Sequence, residues 1–387
     1  MTLRDATLIL SIDCSSAAFT QIYELVKRML DPSNPSPKYS QLKEHLKELI
    51  RDGELSPGEK LPSENDLARR FKLSRHTVRQ ALGELENEGF IYREQGRGTF
   101  CRQNPKTVRP NIAVLTTYIS DYIFPAIIKG IEEVFSSEGY NLILASTNND
   151  PVKEAQCLEN LISQDIVALI VEPTQSAQPS SNLDYFHKLE TRGIPYVMIH
   201  ACYPELDPAY LVMDDERGGY LATQYLLQLG HRRIAGIFKS DDMQGVQRRQ
   251  GFLAALAEYQ LLPNPNWIGS YKTGQIHSYP FEFSRSLLTQ DPRPTAIVCY
   301  NDQIALEVLE AIRHAGLKVP QDISLIGYDD SLLASASEVK LTTFKHPKAE
   351  MGRQAARFVI DMLNGRIAKP SLTYPPELII RSSCRTL

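Results

Sequence analysis

The stretch LSRHTVRQALGELENEGFIYREQGRGTF, residues 73–100, sets a capped amphipathic segment beside two short alternating runs joined by a Gly-Arg-Gly turn. Ser74 stands where an N-cap belongs, and Val78, Leu82 and Leu85 recur at helical spacing, so RHTVRQALGELENEG is expected to be a helix. Arg75, His76, Arg79 and Gln80 then project from its first turns. FIYRE and GTFCR alternate as strands around QGRG, whose glycines permit a tight turn and close backbone approach to a phosphate, with Arg97 at the tip. Upstream, Ser63 caps ENDLARRF, with Asp66 at the third helical position, and only KL separates that helix from Ser74. Two helices joined so tightly form a helix-turn-helix, and the hairpin after them is a wing. An earlier helix, YSQLKEHLKELIRDG, puts Leu42, Leu46 and Ile50 on one face and stops at Gly53.

Charge is sorted along this segment rather than abundant in it. Residues 37–103 hold 13 Lys and Arg against 11 Asp and Glu, a net of 13 minus 11, or +2. Arg69, Arg70, Lys72, Arg75 and Arg79 nevertheless fall in a run from Leu67 to Gly83 that contains no acid, while Glu84, Glu86 and Glu88 trail. A helix polarised in this way suits entry into the DNA major groove by its N-terminal end, where guanidinium forks meet phosphates and guanine edges. Any one Arg on an exposed face is more often solvated than bound; the combination of turn, wing and sorted charge is what favours DNA.

The chain of 387 residues, with 42 Lys and Arg against 46 Asp and Glu, is too long for one core and, at −4, not basic overall. Breaker clusters DPSNPSP and QNPKTVRP divide it. Residues 1–35 form an extension of unknown role with one plausible helix, FTQIYELVKRML, and Met29 is an alternative start. Residues 36–103 are the DNA-binding domain, 104–110 a linker, and 111–387 a larger domain. In that last region strand-like NIAVLTTYI, NLILAST, VALIVEP and PYVMI alternate with helical segments, and RIAGIFKS, TAIVCYND and DISLIGYDD repeat the rhythm, so two parallel-sheet subdomains with helices on both faces are expected. Ligands of such sheets bind at the carboxyl ends of strands. Glu172, Asn301 with Asp302, and Asp329 with Asp330 end strands, and His346 follows LTTFK. Each alone is as readily a cap of the next helix; the set points to a cleft.

Two resemblances sharpen this reading. GEKLPSENDLARRFKLSRHTVRQALGELENEGFIYREQGRGTF resembles the winged helix-turn-helix of the GntR family of bacterial regulators. That resemblance implies contacts to DNA at Glu64, Arg75, Thr77, Arg79 and the wing residues Gln95, Gly96 and Arg97, with Lys38 near the backbone; Gln80, projecting from the same turns, joins the DNA-facing set, and His76 is a candidate specificity position. GHRRIAGI, RRQGF, AIVCYNDQIAL, DISLIGYDD and LTTFKHP resemble, in order and spacing, the effector domain of the LacI/GalR repressors, a periplasmic-binding-protein-like fold. It implies a ligand cleft holding Arg248, Asn301, Asp329 and His346, with Glu172, and with Asp121, Tyr122 and Phe124 lining the first loop. Such residues suit a sugar, since charged and amide groups meet hydroxyls at several angles while an aromatic ring covers an apolar face.

A GntR-type head on a LacI-type body is similar to the bacterial repressors of arabinose utilisation. That resemblance implies a homodimer on palindromic operator DNA, released when L-arabinose binds, with no cofactor and no metal. The same architecture answering another sugar or a nucleoside is the alternative. An enzyme is disfavoured because no G-x-S-x-G, H-E-x-x-H or P-loop is present, and a transport-type sugar-binding protein would not carry residues 37–103. Six cysteines without a C-x-x-C pair suit a reducing compartment, the cytoplasm, and the amino terminus is too charged for a signal peptide or a membrane span.

Overall fold

A computed structural model of the chain describes residues 37–51, 54–94, 96–102 and 109–387. The amino-terminal extension with its expected helix and Met29, the Gly53 stop, Gln95 and most of the linker lie outside the described residues. The chain forms two compact units, divided between Arg109 and Pro110.

In the first unit, α1 (Lys38–Arg51), α2 (Glu64–Phe71) and α3 (Arg75–Asn87) precede a hairpin of β1 (Ile91–Glu94) and β2 (Gly98–Cys101). The local causes are those visible in the sequence: Ser63 accepts a hydrogen bond from Asp66 N–H and Ser74 from Thr77 N–H, satisfying helix-terminal donors. Lys72, in the left-handed region at φ 51°, ends α2 and turns the chain into α3. Leu42, Leu46, Leu67, Val78, Leu82, Leu85 and Ile91 form the core on which all three helices and the hairpin pack. In the wing, Ile91 pairs with Cys101 and Glu94 with Gly98. Gly98 sits at φ 122°, a backbone conformation that strains any other residue, and a Cβ there would also have to push Lys60 Cε aside from 2.7 Å.

The second unit is built from two lobes. The first has a parallel six-stranded sheet in the order β13-β7-β6-β5-β3-β4, made of β3 (Asn111–Thr116), β4 (Asn141–Ser146), β5 (Ile166–Val171), β6 (Tyr196–Ile199), β7 (Ala209–Met213) and β13 (Ser371–Tyr374). Its helices are α4 (Phe124–Ser137), α5 (Pro151–Ser163), α6 (Leu183–Thr191) and α12 (Lys348–Leu363). The second lobe has a parallel sheet in the order β11-β10-β8-β9, from β8 (Ile234–Lys239), β9 (Ile268–Tyr271), β10 (Ala296–Cys299) and β11 (Ser324–Ile326). The helices α7 (Asp215–Gln228), α8 (Met243–Glu258), α9 (Tyr279–Leu288), α10 (Asp302–His314) and α11 (Leu332–Ala336) surround it, and β12 (Thr343–Lys345) pairs antiparallel with β14 (Glu377–Ile379).

The two expected parallel sheets are present, but the lobes are not simply successive halves of the sequence. After β12 the chain returns to the first lobe as α12 and β13 before β14 pairs with β12 in the second. Each lobe also relies on one close helix crossing. A Cβ at Gly251 of α8 would meet the Glu216 carbonyl of α7 at 1.9 Å, and one at Gly352 of α12 would meet the Ile127 carbonyl of α4 at 2.1 Å. Among the described residues no helix is long and apolar enough to cross a membrane.

Candidate functional site

In the first unit the N-terminal end of α3 and the wing carry the residues expected to face DNA. Arg75, His76 and Gln80 are exposed, and their side chains make no hydrogen bond or ion pair among the described residues. The Thr77 hydroxyl lies 2.8 Å from Ser74 Oγ, tying that residue to the helix cap. Arg79 is engaged: its Nε and Nη2 donate to Glu64 Oε2 at 3.2 and 3.0 Å, linking α3 to α2. Arg93 of β1 also faces this carboxylate at 3.7 Å and forms an ion pair with Glu86 at 3.1 Å.

Two of the trailing acids of α3, Glu84 and Glu88, are neutralised from α1. Lys43 Nζ lies 2.9 Å from Glu84 and 3.1 Å from Glu88, and Lys47 also pairs with Glu88. What remains open is therefore the positive end of the helix. At the wing, Gly96 has φ 75° and exposed Arg97 folds onto Glu94 at 2.5 Å. Lys38, the first residue of α1, is exposed.

In the second unit, the strand-end residues converge between the lobes. Arg248 of α8, 2% exposed, donates through Nε to Asp215 at 2.8 Å and through Nη1 to the Tyr300 carbonyl at 2.6 Å; its Nη2 stands 3.7 Å from Asp329. Its guanidinium lies 3.6 Å from the centre of the Tyr328 ring and 4.9 Å from that of Tyr300, an arrangement that fixes its plane. Burial pushes the Asp215 carboxyl up to about 6 despite Arg248.

Glu172, after β5, accepts from Thr117 N–H at 2.8 Å and lies 2.7 Å from His200 Nδ1, after β6. Burial opposes a charge on His200, but the Glu172 hydrogen bond and charge outweigh it and the shift is upward. His346 packs edge-on to His200, with ring centroids 5.1 Å apart, and burial together with the His200 charge holds it well below the ordinary range. Phe124 also meets the His200 ring edge-on, with centroids 5.9 Å apart.

Tyr122, with a left-handed backbone, reaches across the lobes: its hydroxyl donates to the Tyr328 carbonyl at 3.1 Å and accepts from Asp302 N–H at 3.2 Å. Other bonds clasp the lobes too. Asn149 donates to Thr273 Oγ1 at 2.6 Å, Met243 N–H to Ser176 Oγ at 2.9 Å, and Lys348 to the Asp329 carbonyl at 2.6 Å. An adjoining recess of about 730 Å³ is lined by Asn149, Gln175, Asp241, Lys272 and Thr273 among others.

Of the expected ligand residues, Tyr122, Phe124, Glu172, Arg248, Asn301, Asp329 and His346 gather at this cleft. Asn301 spends its Oδ1 capping α10, at 3.0 Å from Ile304 N–H. Asp121 is exposed, with its carboxylate toward Ser120 at 3.3 Å, and does not join the others. His200, Asp215, Tyr300 and Tyr328 were not read from the sequence. The strand-end rule that selects Glu172 also selects His200, which directly follows PYVMI; Asp215 lies at the start of α7 and carries no such signal.

Several buried polar atoms in the cleft have no hydrogen-bond partner among the described residues: His200 Nε2, both His346 nitrogens, Arg248 Nη2, Asp215 Oδ2 and Tyr328 OH. Buried donors and acceptors are ordinarily paired, so a concentration of this kind is what a polar ligand would complete.

Comparison with known proteins agrees with both halves. Residues 38–101 match the family of bacterial regulatory proteins of the gntR type, and residues 223–384 match the periplasmic binding protein-like domain. The arabinose metabolism transcriptional repressor of Geobacillus stearothermophilus is 49% identical over 358 residues, covering 91% of this chain and 98% of that protein. Its counterpart from Halalkalibacterium halodurans is 47% identical, covering 89% and 96%. Among solved structures, the transcriptional regulator CelR in complex with cellobiose superposes with a TM-score of 0.64 at 23% identity, over 84% of this chain and all of that one, a likeness of fold. With a DNA-reading head and a ligand-type body in one chain, and relatives this similar along nearly its whole length, the protein belongs to the family of arabinose metabolism transcriptional repressors, regulators rather than enzymes.

Proposed function

We propose that the protein is a homodimeric repressor that binds palindromic operator DNA of arabinose-utilisation genes and is released when L-arabinose occupies the cleft. The observation that carries the sugar reading is the convergence of unpartnered buried polar atoms on Arg248, Asp215, His200 and His346 between the lobes. Charges there are largely paired within the protein, Arg248 with Asp215 and Asp329 and His200 with Glu172, which suits a neutral polyol. Arabinose enters from the two relatives whose names carry it.

In this reading Arg75, His76, Thr77, Arg79 and Gln80 address the major groove, Gln95, Gly96 and Arg97 the flanking backbone, and Lys38 a phosphate. Arg79 exchanges Glu64 for DNA as it binds. Two copies are required because paired half-sites impose two-fold symmetry. A sugar that prefers one arrangement of the lobes supplies the work of release only through that difference in affinity. Titration of the protein–operator complex with arabinose, xylose, ribose and galactose tests this: arabinose alone should dissociate it, and dissociation by another sugar or by none refutes the assignment. Sedimentation of the free protein at twice the chain mass checks the dimer.

A further inference from the structure

The chain passes between the lobes after β7, after β12 and after β13. Sheet order gathers these passages on one side. In the first lobe β13 and β7 form one edge and β4 the other; in the second, β9 is the edge opposite β11, where Ile326 bridges Thr342 just before β12. A hinge at the passages therefore moves the β4 and β9 edges most when the lobes part. Lys348, the first residue of α12 after a passage, bonds at the hinge, whereas bonds made beyond β4 and β9 lie at the mouth.

Each lobe assembles its own half of that mouth. Asn149 Oδ1 accepts from Gln175 N–H at 2.8 Å and the Asn149 carbonyl accepts from Gln175 Nε2 at 3.1 Å, which joins the loops beyond β4 and β5. Both residues have left-handed backbones, at φ 58° and 44°, so these bonds hold a conformation that Gln seldom adopts. With Oδ1 so fixed, the Asn149 side chain, 3% exposed, turns Nδ2 to the second lobe and donates to Thr273 Oγ1 at 2.6 Å. Thr273 N–H in turn donates to Asp241 Oδ2 at 2.7 Å, joining the loops beyond β9 and β8. One residue past Gln175 and two past Asp241, a second bond crosses: Met243 N–H, in the first turn of α8 where helix donors lack internal partners, reaches Ser176 Oγ at 2.9 Å. The same loops line the recess of about 730 Å³, so both bonds span an opening rather than a packed core.

We propose that Asn149 with Thr273 and Ser176 with Met243 form a latch across the mouth of the cleft, which sets the closed population of the lobes without touching the sugar. Because each half is internally tied, the two bonds make and break together. A ligand held between the lobes binds in proportion to the population that is closed, so the latch tunes sensitivity to the effector. That effect rests on the sugar reading above; the latch itself does not.

The first test needs no sugar. The full chain has 7 methionines, so labelling with 15N-methionine and assigning one signal by Met243→Leu isolates the Met243 amide. Thr273→Val removes the Oγ acceptor at nearly constant size and touches no bond of Met243. It should nevertheless speed exchange of the Met243 N–H about 2- to 12-fold, the opening expected from one lost hydrogen bond. Met243 exchange equal to that of the unsubstituted chain shows that the bonds open independently and overturns the latch. The second test is calorimetric titration with L-arabinose and its monodeoxy analogues. Thr273→Val and, independently, Ser176→Ala should weaken arabinose about 2- to 12-fold, and every analogue by the same factor, since the latch reads no hydroxyl. Unchanged arabinose affinity in both variants, or a loss that vanishes with one analogue and so marks a direct contact, overturns the proposal while the sugar reading stands. A chain that binds none of arabinose, xylose, ribose and galactose refutes the sugar reading, and the exchange comparison alone then decides the latch; if another of these sugars binds, the same titrations are made with it.

Discussion

Arg75→Ala and Arg79→Ala should separate the two arginines of α3, although they are one helical turn apart. Arg75 has no partner to give up among the described residues, so its whole contact energy appears on binding. A bidentate arginine–base contact contributes about 1–3 kcal/mol of discrimination, so Arg75→Ala should weaken the operator about 5- to 150-fold relative to a scrambled duplex. Arg79 must first leave Glu64, and with that arginine 62% exposed the pair is a surface one, worth about 0–1 kcal/mol. The Arg79→Ala loss should therefore be smaller than that of Arg75→Ala by up to about 1 kcal/mol. In Glu64→Gln,Arg79→Ala the two effects should not add, because both remove the same pair. Fluorescence anisotropy on operator and scrambled duplexes at fixed salt provides the measurement, with thermal melting as a control for folding. Equal losses on both duplexes for Arg75→Ala, or a lowered melting temperature that accounts for them, would refute base reading by this turn.

Other consequences rest on the same structure. Arg248→Met leaves Asp215 buried and unpaired, and should destabilise the second unit by about 3–5 kcal/mol, seen as a lower urea midpoint; a midpoint within error of wild type would contradict the buried pairing. Gly251→Ala, which drives a methyl against the Glu216 carbonyl, should forestall folding of that unit, whereas Gly83→Ala, with open space around it, should be neutral or mildly stabilising in circular-dichroism melts. Burial raises the Asp302 carboxyl from 3.8 to about 7. Because the folded form then holds its proton more tightly than the unfolded chain, Asp302 favours folding less as pH rises from about 4 to about 7. Its carboxyl carbon should titrate near neutrality by NMR, and a midpoint near 4 would show that water reaches it.

Much of the first unit was legible locally. Ser63 and Ser74 do as N-caps what their positions imply, the Leu42, Leu46 and Val78 faces form the core, and the glycines of the QGRG turn take the positive φ values that a wing requires. These features depend on neighbours a few residues away, so a linear reading captures them. The trailing acids of α3 read in sequence as one pole of a polarised helix; α1 converts Glu84 and Glu88 into ion pairs through Lys43 and Lys47, some forty residues distant, and Arg93 of β1 takes Glu86.

In the second unit, strand-end polarity located Glu172, Asn301 and Asp329 but not the roles they take. Asn301 caps a helix, Glu172 orients His200, and Asp329 faces Arg248. What the sequence by itself determined is the set of elements, their order, and the strand ends where a ligand could sit, because caps, periodicity and turns are short-range effects. Only the tertiary structure decided which buried polar atoms meet and which stay unpartnered. That outcome depends on the return of α12 and β13 to the first lobe, which sets His346 against His200 and Lys348 against Asp329, and no local pattern encodes the path of a chain that crosses between lobes.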